Sequence, residues 1–323
     1  VRKQTDVGVD VVSDGEQSKI SYATYIKHRL NGFDGDSPRR TPKDLEEYPA
    51  FSKRASSSGG VPTYSRPQCV GPISVKDLKP LEVDLQNFKD ALSASESTDA
   101  FMNAASPGVI AQFQPNQHYP DHSSYLYALA DAMKVEYEGI AEAGLVIQID
   151  SPDLALGRHV LFKDQSDEEF VTMAELHIEA LNHALQNIPA EQLRLHVCWG
   201  NYQGPHHCDI EMKKILPAVL KAKPMALSFE GANPRHSHEW SVFRDAKIPE
   251  NKVLIPGVLD STTNFVEHPE LVAERICRFA DIVGRERVIA GSDCGFSTFA
   301  GFGTVDADIT YSCLLYTSPS PRD

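Results

Sequence analysis

The feature that most constrains this chain is a repeated alternation. Seven short apolar runs, Val9–Val12, Val109–Phe113, Leu145–Ile149, Leu193–Cys198, Met225–Phe229, Val253–Val258 and Arg287–Ala290, each end in a polar or glycine-containing turn. Most are separated by stretches with helical spacing. The clearest starts at Ser166, with Glu169 three residues on as a capping box, and carries Phe170, Met173, His177, Leu181, Ala184 and Ile188 along one face. Tyr125 to Ala143 has the same periodicity. Strands that alternate with helices pair in parallel and are covered by those helices, and seven such units favour a (β/α)8 TIM barrel over an open sheet.

A full barrel has eight strands, so one is missing from this count. Val1-Arg2-Lys3-Gln4 reads as the last turns of a helix feeding the Val9–Val12 strand, and the first strand is expected to be absent. Residues 1–313 are read as one barrel domain. Within it, Asp34 to Val61 (34–61), rich in Ser, Gly, Pro and charge, reads as a long excursion, a loose surface loop ahead of a lid. Arg66 to Ser74 is expected to form an extra hairpin arm. Leu314 to Asp323 (314–323) shows no helical period where a closing helix belongs, and is read as a non-native or disordered tail.

With 323 residues, 41% of them hydrophobic and 24% charged, the chain can bury the core of one large barrel. A formal charge of -14 argues against nucleic-acid and anionic-membrane partners, which reward clustered Lys and Arg, and favours a small-molecule ligand. No run approaches the ~18 apolar residues of a spanning helix, and no basic, then apolar, leader opens the chain, so a cytoplasmic location is expected. The six cysteines, Cys69, Cys198, Cys208, Cys277, Cys294 and Cys313, are too few and too irregular for a disulfide framework and read as reduced thiols or metal ligands.

In a parallel barrel the chemistry sits where strands end. His196 and Cys198 are two residues apart in Leu195-His196-Val197-Cys198, so strand alternation points both to one face. Glu230 ends the Met225–Phe229 run, and Cys294 follows Arg287–Ala290 in Gly291-Ser292-Asp293-Cys294-Gly295. One imidazole, one carboxylate and two thiolates make a borderline-soft set that suits Zn2+. Such an ion holds a substrate thiol as thiolate at neutral pH, with Glu230, the hardest donor, as the one displaced. Taken singly, a strand-borne His and Cys are an ordinary core pair and a strand-end Glu says little; their coincidence at three strand ends favours the metal. Glu16 and Asp150 lie on the same rim and suit a substrate ammonium, with an internal ion pair as the alternative, more so for Glu16. Arg235 offers a guanidinium to a substrate carboxylate or phosphate, alongside His236 and His238. His206-His207-Cys208 reads as a surface turn before a second metal patch, and Trp199 and Trp240 as packing residues.

These motifs resemble, in order and over most of the chain, the catalytic C-terminal barrel of cobalamin-independent methionine synthase and its stand-alone relatives. Gly15-Glu16, Ile149-Asp150-Ser151-Pro152, His196-Val197-Cys198, Glu230 and Asp293-Cys294-Gly295 each match a family motif. The resemblance implies a zinc TIM barrel in which homocysteine, bound as thiolate, takes a methyl group from a folate, as in 5-methyltetrahydropteroyltriglutamate-homocysteine S-methyltransferase, with Glu16 and Asp150 holding the amino group. The chain departs from the pattern on the donor side: Thr262 stands where the family has an acid histidine, Phe113 where it has a tryptophan, and Pro72 where it has an aspartate.

The expected function is a zinc-dependent methyltransferase of methionine synthesis, with a homocysteine-like thiol and an alkyl donor as its partners. Alkyl transfer to a different thiol without folate, such as epoxide opening, is the alternative within enzymes, and a non-catalytic zinc barrel the alternative outside them. Metal-free decarboxylation, known on a related barrel, is opposed by the ligand set.

Overall fold

The computed structural model describes residues 1–38, 40–58, 66–296 and 305–318. Strands β1 (Val11–Ser13), β2 (Leu30–Asp34), β3 (Gln68–Val75), β4 (Asp99–Ala105), β5 (Val146–Asp150), β6 (Leu193–Val197), β7 (Ala226–Phe229), β8 (Val253–Leu259) and β9 (Gly291–Ser292) form two sheets. Seven of them make a curled parallel sheet in the order β1-β4-β5-β6-β7-β8-β9, so each strand neighbours the next one in the chain, as in a (β/α) barrel. The helices are α1 (Arg2–Asp6), α2 (Lys43–Glu46), α3 (Pro49–Ser58), α4 (Lys79–Ser93), α5 (Pro107–Phe113), α6 (His122–Glu142), α7 (Gly157–Val160), α8 (Asp167–Ala184), α9 (Met212–Val219), α10 (Trp240–Asp245), α11 (Pro269–Val283) and α12 (Ala307–Thr317). None of the described helices is long and apolar enough to cross a membrane.

The number of barrel strands matches expectation, but one member is exchanged. Val109–Phe113 is not a strand: it lies in α5, where the Ser106 hydroxyl accepts from the Val109 N–H and Pro107 occupies the first turn. Ser-Pro is a helix start, and it outweighs a short apolar run. The strand is instead Asp99-Ala-Phe-Met-Asn-Ala-Ala105, whose alternation is muted by its alanines. The last strand falls just beyond Arg287–Ala290, at Gly291–Ser292, with Val288 bridging Leu254. The predicted capping box of α8 is present, with Ser166 and Glu169 bonded reciprocally.

Two further expectations are corrected. α12 continues through Thr317 and buries Thr310, Cys313 and Thr317, so Leu314–Thr317 are helical where no helical period was read; residues 319–323 lie outside the described residues. The excursion is partly helical where it is described, and is anchored at Asp44 rather than loose throughout. It contains α2 and α3, and the fully buried Asp44 accepts from the Tyr202 hydroxyl (2.7 Å) and the His206 N–H (2.9 Å). Residues 39 and 59–61 of it are not among those described. The hairpin arm is present as β2 paired antiparallel with β3. Arg29 fastens its base, bridging Asp84 of α4 and Glu136 of α6 at 2.5 and 2.8 Å.

The core lies between sheet and helices. On β7, Phe229 stacks on Phe243 of α10 (4.3 Å) and meets the edge of Phe279 of α11 (5.5 Å). Truncating such a buried ring costs about 3–5 kcal/mol. Because side chains alternate along a strand, the burial of Phe229 among the helices turns Glu230 inward.

Candidate metal centre and substrate pocket

The parallel register builds the site row by row. Asp150 on β5 pairs with His196 on β6, and His196 with Ser228 on β7, so these three side chains share a row and a face. Two residues on, Cys198 and Glu230 follow at the ends of the same strands. His196, Cys198 and Glu230 are all buried. An imidazole nitrogen of His196 and the sulfurs of Cys198 and Cys294 lie within 4.8 Å of one another.

The fourth predicted ligand stands beside this trio, outside that distance. Glu230 accepts from the Trp199 N–H on Oε1 and from the Asn233 amide on Oε2, each at 2.8 Å. Cys294 is brought in by its neighbour. Asp293, buried, accepts from the backbone N–H groups of Gly231 (2.7 Å), Ala232 (2.8 Å) and Asn233 (2.8 Å), and from the Asn233 side chain (2.9 Å). A carboxylate from β9 is thus seated in the loop that follows Glu230. Gly257 on β8 leaves the space for it, since a Cβ there would lie 2.0 Å from Asp293 Oδ1.

The electrostatics fit a cation. Contact with Cys198 and the facing His196 imidazole hold the Cys294 thiol well below its usual range, while the same contact and burial push Cys198 well above it. Burial lowers His196, but the Cys294 thiolate more than reverses this and carries it to about 9. Burial pushes Glu230 up to about 8 and Asp293 to about 6. Several acids packed together each raise the cost of ionising the others, a cost that a bound cation removes. The most direct sign is geometric: His196 Nδ1 meets the Ser228 hydroxyl at 3.2 Å, whereas its Nε2 is buried with no hydrogen-bond partner. A ring oriented through one nitrogen with the other left free is the arrangement of a metal-ligating histidine. The residues present therefore fit a zinc ion.

The predicted amine pocket lies one strand over. Asp150 accepts from Asn103 and Gln148, both at 2.9 Å, and these neutral partners leave its charge uncompensated by hydrogen bonding. Glu16, at φ 53 after Gly15, is pushed up to about 7 by burial and by Asp150, against the pull of Lys19. Lys19 Nζ stands 3.6 Å from Glu16, donates to the Asn103 carbonyl and lies over the Tyr25 ring. The internal ion pair weighed for Glu16 is therefore present, and its Oε1 still has no hydrogen-bond partner.

Other predicted residues lie elsewhere. Arg235 is exposed on the loop beyond Glu230. His236 is not a free ligand-binding group: it is buried, bonded to Asp209 (2.9 Å) and Glu239 (2.8 Å), and stacked on Trp199 (4.0 Å between centroids). Thr262 donates through its N–H and hydroxyl to Asp260 (2.8 Å), closing a turn after β8. Sequence reading missed Lys19, Asn103, Asp209 and Asn233. Gln148 was within reach, because it precedes Asp150 by two residues on one strand and so shares its face.

Comparison with known proteins agrees with this geometry. Residues 108–307 match the family profile described as "Cobalamin-independent synthase, Catalytic domain". A methionine synthase of Saccharolobus solfataricus is 27% identical over 293 residues, covering 89% of this chain and 73% of that protein. One from Sulfurisphaera tokodaii is 25% identical over 89% and 71%. Among solved structures, a B12-independent methionine synthase from Shewanella sp. W3-18-1, in complex with selenomethionine, superposes with a TM-score of 0.69 at 18% identity, over 98% of this chain and 82% of the other. A putative one from Listeria monocytogenes gives 0.63 at 18% identity, over 98% and 81%. At these identities the structures share the fold.

Proposed function

Given that the chain belongs to the cobalamin-independent synthase family through its catalytic domain, a family of methyltransferases of methionine synthesis, we propose that it methylates the thiol of homocysteine at a zinc centre. The observation that carries this reading is the buried His196, its Nε2 without a hydrogen-bond partner and its ring grouped with two cysteine sulfurs. His196, Cys198 and Cys294 would hold the ion, and Glu230 would be the exchangeable fourth donor. Zinc, when bound, supplies the Lewis acidity that keeps a substrate thiol deprotonated yet nucleophilic near neutral pH.

The protein's own groups do the rest. Asp150 and Glu16 take the substrate ammonium, and the nearby Lys19 offsets part of the cost of ionising Glu16. Arg235, on the exposed loop, offers its guanidinium to the substrate carboxylate. Ser228 fixes the His196 ring, and Asp293 holds the 231–233 loop so that Glu230 and Cys294 face one place. Glu230 is braced by Trp199 and Asn233, and these two donors would hold its carboxylate whether or not it bound the ion.

The test is X-ray absorption at the zinc edge on protein carrying one equivalent of zinc, with and without L-homocysteine. The expected change is one sulfur neighbour gained and one light neighbour lost. An unchanged shell rejects thiol activation, and failure to bind zinc rejects the centre itself.

A further inference from the structure

A second group of ligand-type side chains meets where the excursion crosses the loop after β6. Glu47, His207 and Cys208 present a carboxylate oxygen, an imidazole nitrogen and a sulfur, all within 4.8 Å of one another. His207 Nε2 donates to Glu47 Oε2 at 2.7 Å, and Cys208 Sγ lies 3.9 Å from Glu47 Oε1. An ordinary surface ion pair accounts for Glu47 and His207, but it does not call for a thiol on the other oxygen of the same carboxylate.

The three residues come from segments far apart in sequence, brought together by other groups. Asp44, one turn before Glu47, is buried and bonded to Tyr202 and to the His206 backbone. His206 sits at φ 52 and bonds Asp209 through its own ring, while the next two residues turn to Glu47. The Tyr48 ring packs edge-on against His207 at 5.6 Å. The outer side is open to solvent, with the His207 and Glu47 side chains 38% and 49% exposed, and it borders a cleft of about 530 Å³ lined by Tyr48, Phe51, Gln203, Gly204 and Pro205.

We propose that Glu47, His207 and Cys208 form a second metal site, for zinc or a similar borderline divalent ion, with its fourth position open to water. One oxygen, one nitrogen and one sulfur donor suit such an ion, and three protein ligands with an open position are within its normal coordination. An ion here joins the end of α2 to the loop that leads from Cys198 and Trp199, and so staples the excursion to the barrel rim beside the Asp44 contact. The inference is independent of the methyl-transfer reading.

The experiment is a cobalt(II) titration of the full chain, stripped of metal, followed by bound-metal count and by the thiolate-to-cobalt absorption. Wild type is expected to take up two ions, Cys208→Ser one, and the Cys198→Ser/Cys294→Ser double variant one that retains thiolate absorption. Glu47→Gln, a mild change at an exposed position, should weaken the second ion about tenfold or more. The proposal is overturned if Cys208→Ser binds as many ions as wild type with unchanged absorption. A single wild-type ion lost only in the double variant also overturns it and leaves the first centre standing; a single ion lost only in Cys208→Ser does the reverse. No uptake overturns both.

Discussion

Asp293 accepts twice from Asn233, from its backbone N–H at 2.8 Å and its side-chain amide at 2.9 Å, and through that residue it reaches Glu230. Asp293→Ala leaves three backbone N–H groups without their acceptor. The Ala232 N–H is buried and the other two part-buried, so the loss should be about 1–3 kcal/mol in urea unfolding, the cost of one unsatisfied buried donor, together with lowered zinc content. A loss under about 1 kcal/mol would show that water replaces the carboxylate and that the loop needs no such anchor.

Glu230→Gln keeps the shape of the side chain and its acceptor for Trp199, but removes the charge. Zinc should still bind through His196, Cys198 and Cys294, with affinity lowered about 10- to 100-fold in competition with a chelator. Full affinity and unchanged homocysteine binding would remove Glu230 from the donor set.

Asp150 is hydrogen-bonded to the neutral amides of Asn103 and Gln148. Asp150→Asn should therefore raise KM for homocysteine at least about tenfold, the scale of one charge-assisted hydrogen bond at roughly 1.5–3 kcal/mol, while zinc content stays at the wild-type level. A fall in kcat with KM unchanged would place Asp150 in the chemical step instead.

His122 bonds His177, which in turn bonds the buried Asp153. Burial, reinforced by His177, lowers His122 from its usual 6.5 to about 4. Between these values the unfolded chain binds the extra proton and the folded chain does not, so stability rises with pH across that window and is lost as pH falls from about 6.5 towards 4. Thermal unfolding of wild type should show this slope, and His122→Gln should flatten it; equal slopes in both proteins would assign the effect to other groups.

Much of the fold was legible because its signal is periodic. The alternation of strand and helix and the capping box at Ser166 needed no tertiary information. The two-residue spacing of His196 and Cys198 likewise fixed their shared face. What sequence reading missed was decided by competing local signals or by distant partners. Val109–Phe113 is apolar enough for a strand, but Ser106-Pro107 starts a helix there. Asp99–Ala105 has strand geometry but little hydropathy to announce it. Asp44, read as part of a loose loop, is buried by groups from Tyr202 and His206, far along the chain. Asp293 was noticed only as the neighbour of a cysteine, because its acceptors' worth depends on three N–H groups that converge only in the folded loop.

The last strand, β9, has two residues, and its neighbour Asp293 is held by the loop after β7 through backbone N–H groups rather than by a long ladder. In the proposed zinc centre, Cys294 is thereby the donor whose arrival depends on the largest loop closure. His196 and Cys198 come together by local chain geometry alone, but the third donor waits until the 231–233 segment has formed its cradle. Assembly of the proposed centre would in this sense be a report on completed folding: an ion captured with all three donors would be held only by a chain whose carboxyl-terminal strands are already in register.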